Sequence, residues 1–307
     1  MSGHLHEILA RGLLQAGAVL LAAPLAEGVM RKITAVLQSR QGPPVIQPYY
    51  DLLKLMGKED LECGESPWMQ RLAGWLALVA PLSVAALWPG IGGQGPAAGD
   101  AILLVYLLTL GGVATLLAGL AAGSTYSLLG ISREMMTMMV LEPLLAIALL
   151  VAACHADSLQ LADLFGGAIY GRSGHSGSGL LMLGVLVFAF QAMVSRRPFD
   201  MTEAESEIME GPLMEYSGPK LALLQWARMA RLVVSSALMV ALFWPGGAQL
   251  GFPWAALVFA AKTAAVILAV TVIAATHVRY RVDQAIRYFG GMLLAGLAAL
   301  GLACFGF

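Results

Sequence analysis

Paired cysteines are missing from this chain. Cys63, Cys154 and Cys304 are scattered over 307 residues with no Cys-x-x-Cys among them. That spacing argues against an iron–sulfur or zinc site and offers no disulfide framework. The five histidines lack ligand spacing as well. His4 and His6 could touch a metal, but they fall in a short polar lead, where a mobile terminus is the simpler account. Charge is scarce: 12% of residues are Asp, Glu, Lys or Arg, against 59% apolar. Few soluble proteins have that balance. A Gly-rich phosphate loop, a nucleophile triad and a haem ligand pair are all absent from the sequence. No self-contained active site is legible, so the chain alone reads as non-catalytic.

What the chain has instead is long apolar runs. Several reach about 18 residues, the length a helix needs to cross the hydrocarbon core. The fold class is therefore all-α, a polytopic membrane protein forming one integral membrane domain over residues 1–307. Eight spans are expected: Gly12 to Met30, Ala73 to Trp88, Ala101 to Ala121, Met135 to Cys154, Gly179 to Val194, Leu221 to Trp244, Pro253 to Thr276, and 288–306. The first is too long for a signal peptide and has the wrong flanks, with Arg11 before it and Arg31 and Lys32 after it. Of the 18 Lys and Arg, only Arg11 and Arg172 fall in segments assigned outside, while Arg228, Arg231 and Lys262 fall within spans. The rest lie in 31–72, 123–134, 195–221 and 277–287, so the positive-inside rule puts these loops inside and both termini outside.

Two inner loops stand out. In 31–72, Gln41-Gly42-Pro43-Pro44 must break any helix. Beyond it, Tyr49, Leu52, Leu53 and Met56 recur at i, i+3, i+4 and i+7, opposite Asp51, Lys54 and Lys58. That is a short amphipathic helix, equally suited to the membrane surface or to a partner. In 195–221, Asp200, Glu203, Glu205, Glu207, Glu210 and Glu215 gather between two apolar runs. Thr202 with Glu205 fits a capping box, and Glu203, Glu207 and Glu210 then share one helix face, where like charges repel. A solvated acidic loop explains them, as does a carboxylate cluster beside the membrane. In such a cluster not all members can stay ionised, and a nearby redox change can move protons.

Ionisable groups also lie inside the spans. Glu142 falls about eight residues into the fourth, on the order of 12 Å deep at the helical rise. It is either a coupling group or a structural carboxylate bonded to a neighbouring helix. Glu27 reads as snorkelling, paired or involved in transport. Arg228 and Arg231, at i and i+3, are available to pair with the loop carboxylates or with Glu142. Lys262 either takes part or snorkels to the outer surface.

The text PFDMTEAESEIMEGPLMEYSG resembles the acidic loop of one membrane-subunit family. That family includes the quinone-site membrane subunit of respiratory complex I and the corresponding subunit of energy-converting hydrogenases and formate hydrogenlyases. Glu210-Gly211-Pro212 ahead of EYSG is closer to the hydrogenase branch. RKITAVLQSRQGPP with QPYYDLLKLMGKE is similar to the family's first inner loop, GSTYSLLGISREMM to its third patch, and VRYRVDQAIR to its final inner motif. Arg228 and Arg231 depart from complex I, where an acidic residue is expected.

The resemblance implies a coupling subunit in a prokaryotic cytoplasmic membrane. Its partners would be hydrogenase large and small subunits, an iron–sulfur subunit, antiporter-like membrane subunits and the lipid bilayer; nucleic acid is not among them. The nickel–iron centre and iron–sulfur clusters would sit in those partners, with no cofactor or metal in this chain. The expected ion-coupling residues are Glu142, Glu203, Glu205, Glu207, Glu210, Glu215, Arg228, Arg231 and Lys262. The expected docking residues are Arg40, Gln47, Asp51, Lys54, Lys58, Glu59, Arg133, Arg196, Arg197, Asp200, Arg279, Arg281 and Asp283. A quinone-chamber subunit of an NADH:quinone oxidoreductase is the alternative. A stand-alone transporter ranks last, because no inverted repeat is visible.

Overall fold

A computed structural model describes residues 2–61, 66–88, 99–165, 168–170, 176–202, 209, 211–244, 246–247, 250–251 and 253–306. Its helices are α1 (Ser2–Leu37), α2 (Gln47–Met56), α3 (Pro67–Ala86), α4 (Ala101–Ala122), α5 (Thr125–Ala156), α6 (Leu161–Leu164), α7 (Gly177–Met193), α8 (Gly218–Phe243), α9 (Trp254–Thr276) and α10 (Val282–Cys304). Seven of them are long and apolar enough to cross a membrane, and α7, with 17 residues, is a shorter apolar eighth. Among the described residues the only extended pairing is an isolated bridge between Asp100 and Gln160.

Three expected loops turn out to be helix. Residues 2–11 of the polar lead belong to α1, which is described from Ser2. The turn expected over 123–134 is two residues long. Gly123 closes α4 at φ 70°, and the Ser124 hydroxyl accepts the Ser127 N–H at 3.2 Å, so α5 begins at Thr125. Arg133 and Glu134 are therefore helical. Likewise α10 begins at Val282, which takes Asp283 and Arg287 out of the expected loop and into the helix.

The chain's two ends differ. Residues 38–46, 57–61, 195–202, 211–217 and 277–281 meet at one, the polar end. Asp200 takes Arg279 at 3.1 Å, Met201 O accepts from Arg133 at 3.2 Å, and the Phe199 ring packs at tilted angles against Tyr280, Tyr288 and Phe289. Two glycines are required there by close approach. A Cβ on Gly28 would overlap Val45 O. On Gly218, at φ 62°, it would stand 2.6 Å from Glu59 O. Lys220, buried at the head of α8, reaches Asp60 at 3.1 Å and Gln70 at 3.4 Å, tying the segment after α2 to α3. Burial pushes the Tyr216 hydroxyl up, so it stays protonated and donates to Ala118 O at 2.7 Å.

Among the described residues the core has three apolar clusters. The largest joins α5, α7 and α10 around Leu144, Leu149, Val151, Met182 and Phe289. The others pack α8 against α1 and α9, and against α3 and α4. α8 is therefore the central helix of its half, and any charge on it faces neighbours rather than lipid. The amphipathic α2 keeps Leu52 at 3% exposure against the body, while Leu53 and Met56 remain exposed.

Candidate functional site

The polar end holds a cavity of about 690 Å³ between α1, the 38–43 turn, the 195–200 loop and α8. Its wall carries Glu27, Arg31, Arg40, Arg196, Arg197, Asp200 and Arg228. Glu27 is buried at 5% exposure and accepts from Arg196, with Arg31 Nε at 3.5 Å on its other side. Arg31 Nη1 continues to Asp51 at 2.9 Å, and Gln47 reaches the same carboxylate at 3.1 Å. A ladder of alternating sign therefore runs from the 195–197 loop across α1 to α2. Pairing of this kind is what makes charge at such burial tolerable.

Two smaller voids share lining residues with that cavity. One, of about 80 Å³, is lined by Glu134, Ser195, Thr202, Arg228 and Arg231; the next, of about 50 Å³, by Glu134, Thr137, Glu142, Ser195, Arg231 and Ser235. Arg228 is common to the cavity and the first void; Glu134 and Arg231 are common to both voids. Arg231 Nη1 stands 3.8 Å from Glu134 Oε1. Ser195, which follows α7 at φ 51°, borders all three spaces. The line thus runs from Glu27 past Arg228, Arg231 and Glu134 to Glu142. Because α5 starts at Thr125, Glu142 is 17 residues along the helix, about 26 Å from its start at 1.5 Å per residue and near its middle.

The expected coupling residues divide. Glu142, Arg228 and Arg231 line the voids, but Glu215 borders neither them nor the cavity. Glu203, Glu205, Glu207 and Glu210, with the capping box proposed for Thr202 and Glu205, lie outside the described residues. Lys262 sits at the opposite end, where it donates to Trp244 O at 3.1 Å and Gly246 O at 2.7 Å and lies over the Trp244 ring. It holds the carbonyls past the end of α8, far from the line of voids. Glu134 and Ser195, absent from the expected coupling set, also line these spaces, and Glu27, read as snorkelling, paired or involved in transport, is a paired charge on the cavity wall. The available signal was that Glu134 lies two helical turns before Glu142, on nearly the same face once the helix is known to be continuous.

The docking residues divide too. Asp51, Gln47, Arg133, Arg196, Asp200 and Arg279 are engaged within the chain. Arg40, Lys54, Lys58, Glu59, Arg197, Arg281 and Asp283 are exposed at the polar end. Among the described residues no three His, Cys, Asp or Glu side chains gather as a metal site.

Known proteins share this architecture and sequence. The chain is 33% identical to formate hydrogenlyase subunit 4 of Escherichia coli (strain K12), over 85% of this chain and 86% of that one. It is 37% identical to hydrogenase-4 component C of the same strain, over 76% and 75%. It is 30% identical to an NADH-quinone oxidoreductase subunit of Anaplasma phagocytophilum (strain HZ), over 84% of each. A chain in the structure of the membrane-bound sulfane sulfur reductase, an archaeal respiratory membrane complex, superposes with a TM-score of 0.86 at 25% identity, covering 97% of this chain and 99% of that one. The relatives are thus subunits of multisubunit membrane complexes. The NADH dehydrogenase family model matches residues 11–304. This multi-pass membrane chain therefore belongs to the NADH dehydrogenase family.

Proposed function

We propose that this chain is the coupling subunit of a membrane-bound hydrogenase or formate hydrogenlyase: it anchors a peripheral electron-transfer arm and links its redox chemistry to ion movement. The observation that carries this reading is the succession of charged groups lining neighbouring spaces from the polar-end cavity to Glu142 in the middle of α5. The relatives of 33% and 37% identity support the hydrogenase branch over the quinone-reducing one. The charge distribution supports a polar end facing the cytoplasm. The partner subunits, including the hydrogenase large and small subunits, hold the nickel–iron centre and the iron–sulfur clusters. Electron transfer in the arm changes the charge near the cavity. Glu134 and Glu142 respond by taking up and releasing the ion, and the loop carboxylates extend the path at the cavity. Arginine keeps its proton, so Arg228 and Arg231 act as fixed counter-charges that set those affinities.

The test is Glu142→Gln, and separately Glu134→Gln, in the assembled complex. Each leaves soluble-dye hydrogen oxidation within about twofold of wild type, because the arm's metal centres are untouched. Each lowers ion pumping or membrane-coupled turnover by about tenfold or more, roughly 1.4 kcal/mol. Full pumping in both variants overturns the coupling role.

One observation favours a second reading, a quinone-chamber subunit. An apolar groove of about 400 Å³ between α1, α8 and α9, lined by Ala18, Leu25, Val29 and Ile267, runs along the same helices as the polar cavity. A molecule with an apolar tail and a polar head matches that sequence of surfaces. Quinone reduction by the purified complex, inhibited by filling the groove with Ala18→Phe, distinguishes this reading from the first.

A further inference from the structure

Cys154 and Cys304 come from opposite halves of the sequence and offer no pairing pattern there. The fold makes them neighbours. α5 and α10 run in the same direction away from the polar end and pack along their length. Small residues let them approach: Gly296, Ala299 and Ala303 on α10 and Ala148 and Ala152 on α5 are all buried. A Cβ on Gly296 would stand 2.9 Å from Leu144 Cδ1 and 3.7 Å from Ile147 Cγ2, which sets the register. Cys304 follows Gly296 by eight residues, and Cys154 follows Ile147 by seven, so each lies about 10 to 12 Å farther along the same contact. Both cysteines therefore stand at the same level of the α5–α10 contact, in the last turn of each helix.

Both thiols are free and exposed. Cys304 is the last residue of α10, and Cys154 is in the last turn of α5, beside His155, which bonds the Ser178 hydroxyl at 2.8 Å, and Asp157, which ends the helix. This end is polar enough to admit a soluble oxidant. The third cysteine, Cys63, precedes α3, in sequence among the segments of the polar end.

We propose that Cys154 and Cys304 form a dithiol pair that a thiol–disulfide oxidant closes, tying the far end of α5 to the far end of α10. The thiolate of one cysteine attacks a sulfur of the oxidant, whose S–S bond breaks and releases one thiol. The second cysteine, as its thiolate, displaces the other half of the oxidant from the mixed disulfide. One S–S bond forms in the chain, and the oxidant leaves as two thiols carrying the two protons and two electrons. With the polar end cytoplasmic, as proposed above, the pair faces the compartment in which disulfides persist. The closure itself does not depend on that assignment.

The test uses the assembled complex in detergent-permeabilised membranes, in a Cys63→Ser background, titrated with oxidised glutathione. The expected result is a peptide pair linked through Cys154 and Cys304 by mass spectrometry, with both thiols protected from N-ethylmaleimide together. The link is lost in Cys154→Ser and in Cys304→Ser, and dithiothreitol releases it in the parent. Independent alkylation of both thiols after oxidation, or a stable glutathione adduct on either with no linked peptide, overturns the proposal. Both outcomes are read without measuring ion pumping, so they are independent of the coupling role.

Discussion

Glu27 shows how this chain accommodates buried charge. Its side chain is 7% exposed and faces Arg196 and Arg31. Removing Arg196 leaves Glu27 in a poorly hydrated place with the more distant Arg31 as its partner, at a cost of up to about 3–5 kcal/mol, whereas removing both ions together costs less. Arg196→Met is therefore expected to lower the thermal midpoint of the detergent-purified chain more than the double variant Glu27→Gln/Arg196→Met does. A double variant as unstable as the two singles summed shows that the pair is not coupled. Tyr216 offers a neutral counterpart. Tyr216→Phe removes the donor to Ala118 O and leaves a buried acceptor unmatched, a loss of about 1–2 kcal/mol. The same denaturation measurement reads it.

At the scale of elements, the boundaries depend on single capping and contact residues. Ser124 both follows the left-handed Gly123 and caps α5, so the α4–α5 connection is two residues long. Ser124→Ala is expected to cost about 1 kcal/mol, seen as a lower midpoint with spans unchanged by protease protection. Gly28 is where α1 and the 43–46 segment touch. Gly28→Ala places a methyl in the space that Val45 O occupies, so the segment that walls the cavity and leads into α2 must move. The expected outcome is a clear fall in assembled complex recovered from membranes, with the isolated chain still inserted. Recovery equal to wild type shows that the segment shifts without consequence.

For the whole molecule, the polar end is the proposed docking surface for soluble partners. Lys54 on α2 and Arg197 beside the cavity are both exposed there, one in each of the segments 31–72 and 195–221. Exposed charges act mainly on encounter and orientation, so one reversal weakens association and two together are expected to release the peripheral arm from membranes. Immunoblotting of the soluble and membrane fractions after Lys54→Glu/Arg197→Glu reads this, and an arm that stays bound rejects the docking assignment. Sidedness has its own measurement. Lys58→Cys in the cysteine-free chain is expected to react with an impermeant maleimide in inverted vesicles and not in right-side-out spheroplasts. The reverse pattern places the polar end outside.

Apolar run length and the placement of Lys and Arg are local properties, and they were enough to determine the all-helical membrane class, the eight apolar segments and the separation of a polar end from its opposite. The capping signals at Gly123 and Ser124 were also present in the sequence but were overridden by the polar look of 123–134. A membrane helix can carry polar residues wherever neighbouring helices cover them. The site depended on partners that are remote in sequence. Arg196 reaches Glu27 across 169 positions, and Arg133 reaches Met201 across 68. No periodicity encodes such pairs, because a buried charge is compensated by whichever helix packs beside it. Only the packing of α8 against α1 and of α5 against its neighbours decided that Glu27 and Glu134 join the line to Glu142. Packing also decided that Lys262 caps carbonyls at the far end and that six of the thirteen expected docking residues are engaged within the chain. Cys154 and Cys304 follow the same rule: they are 150 positions apart in the sequence, and the small-residue contact of two parallel helices sets them at the same level of the fold.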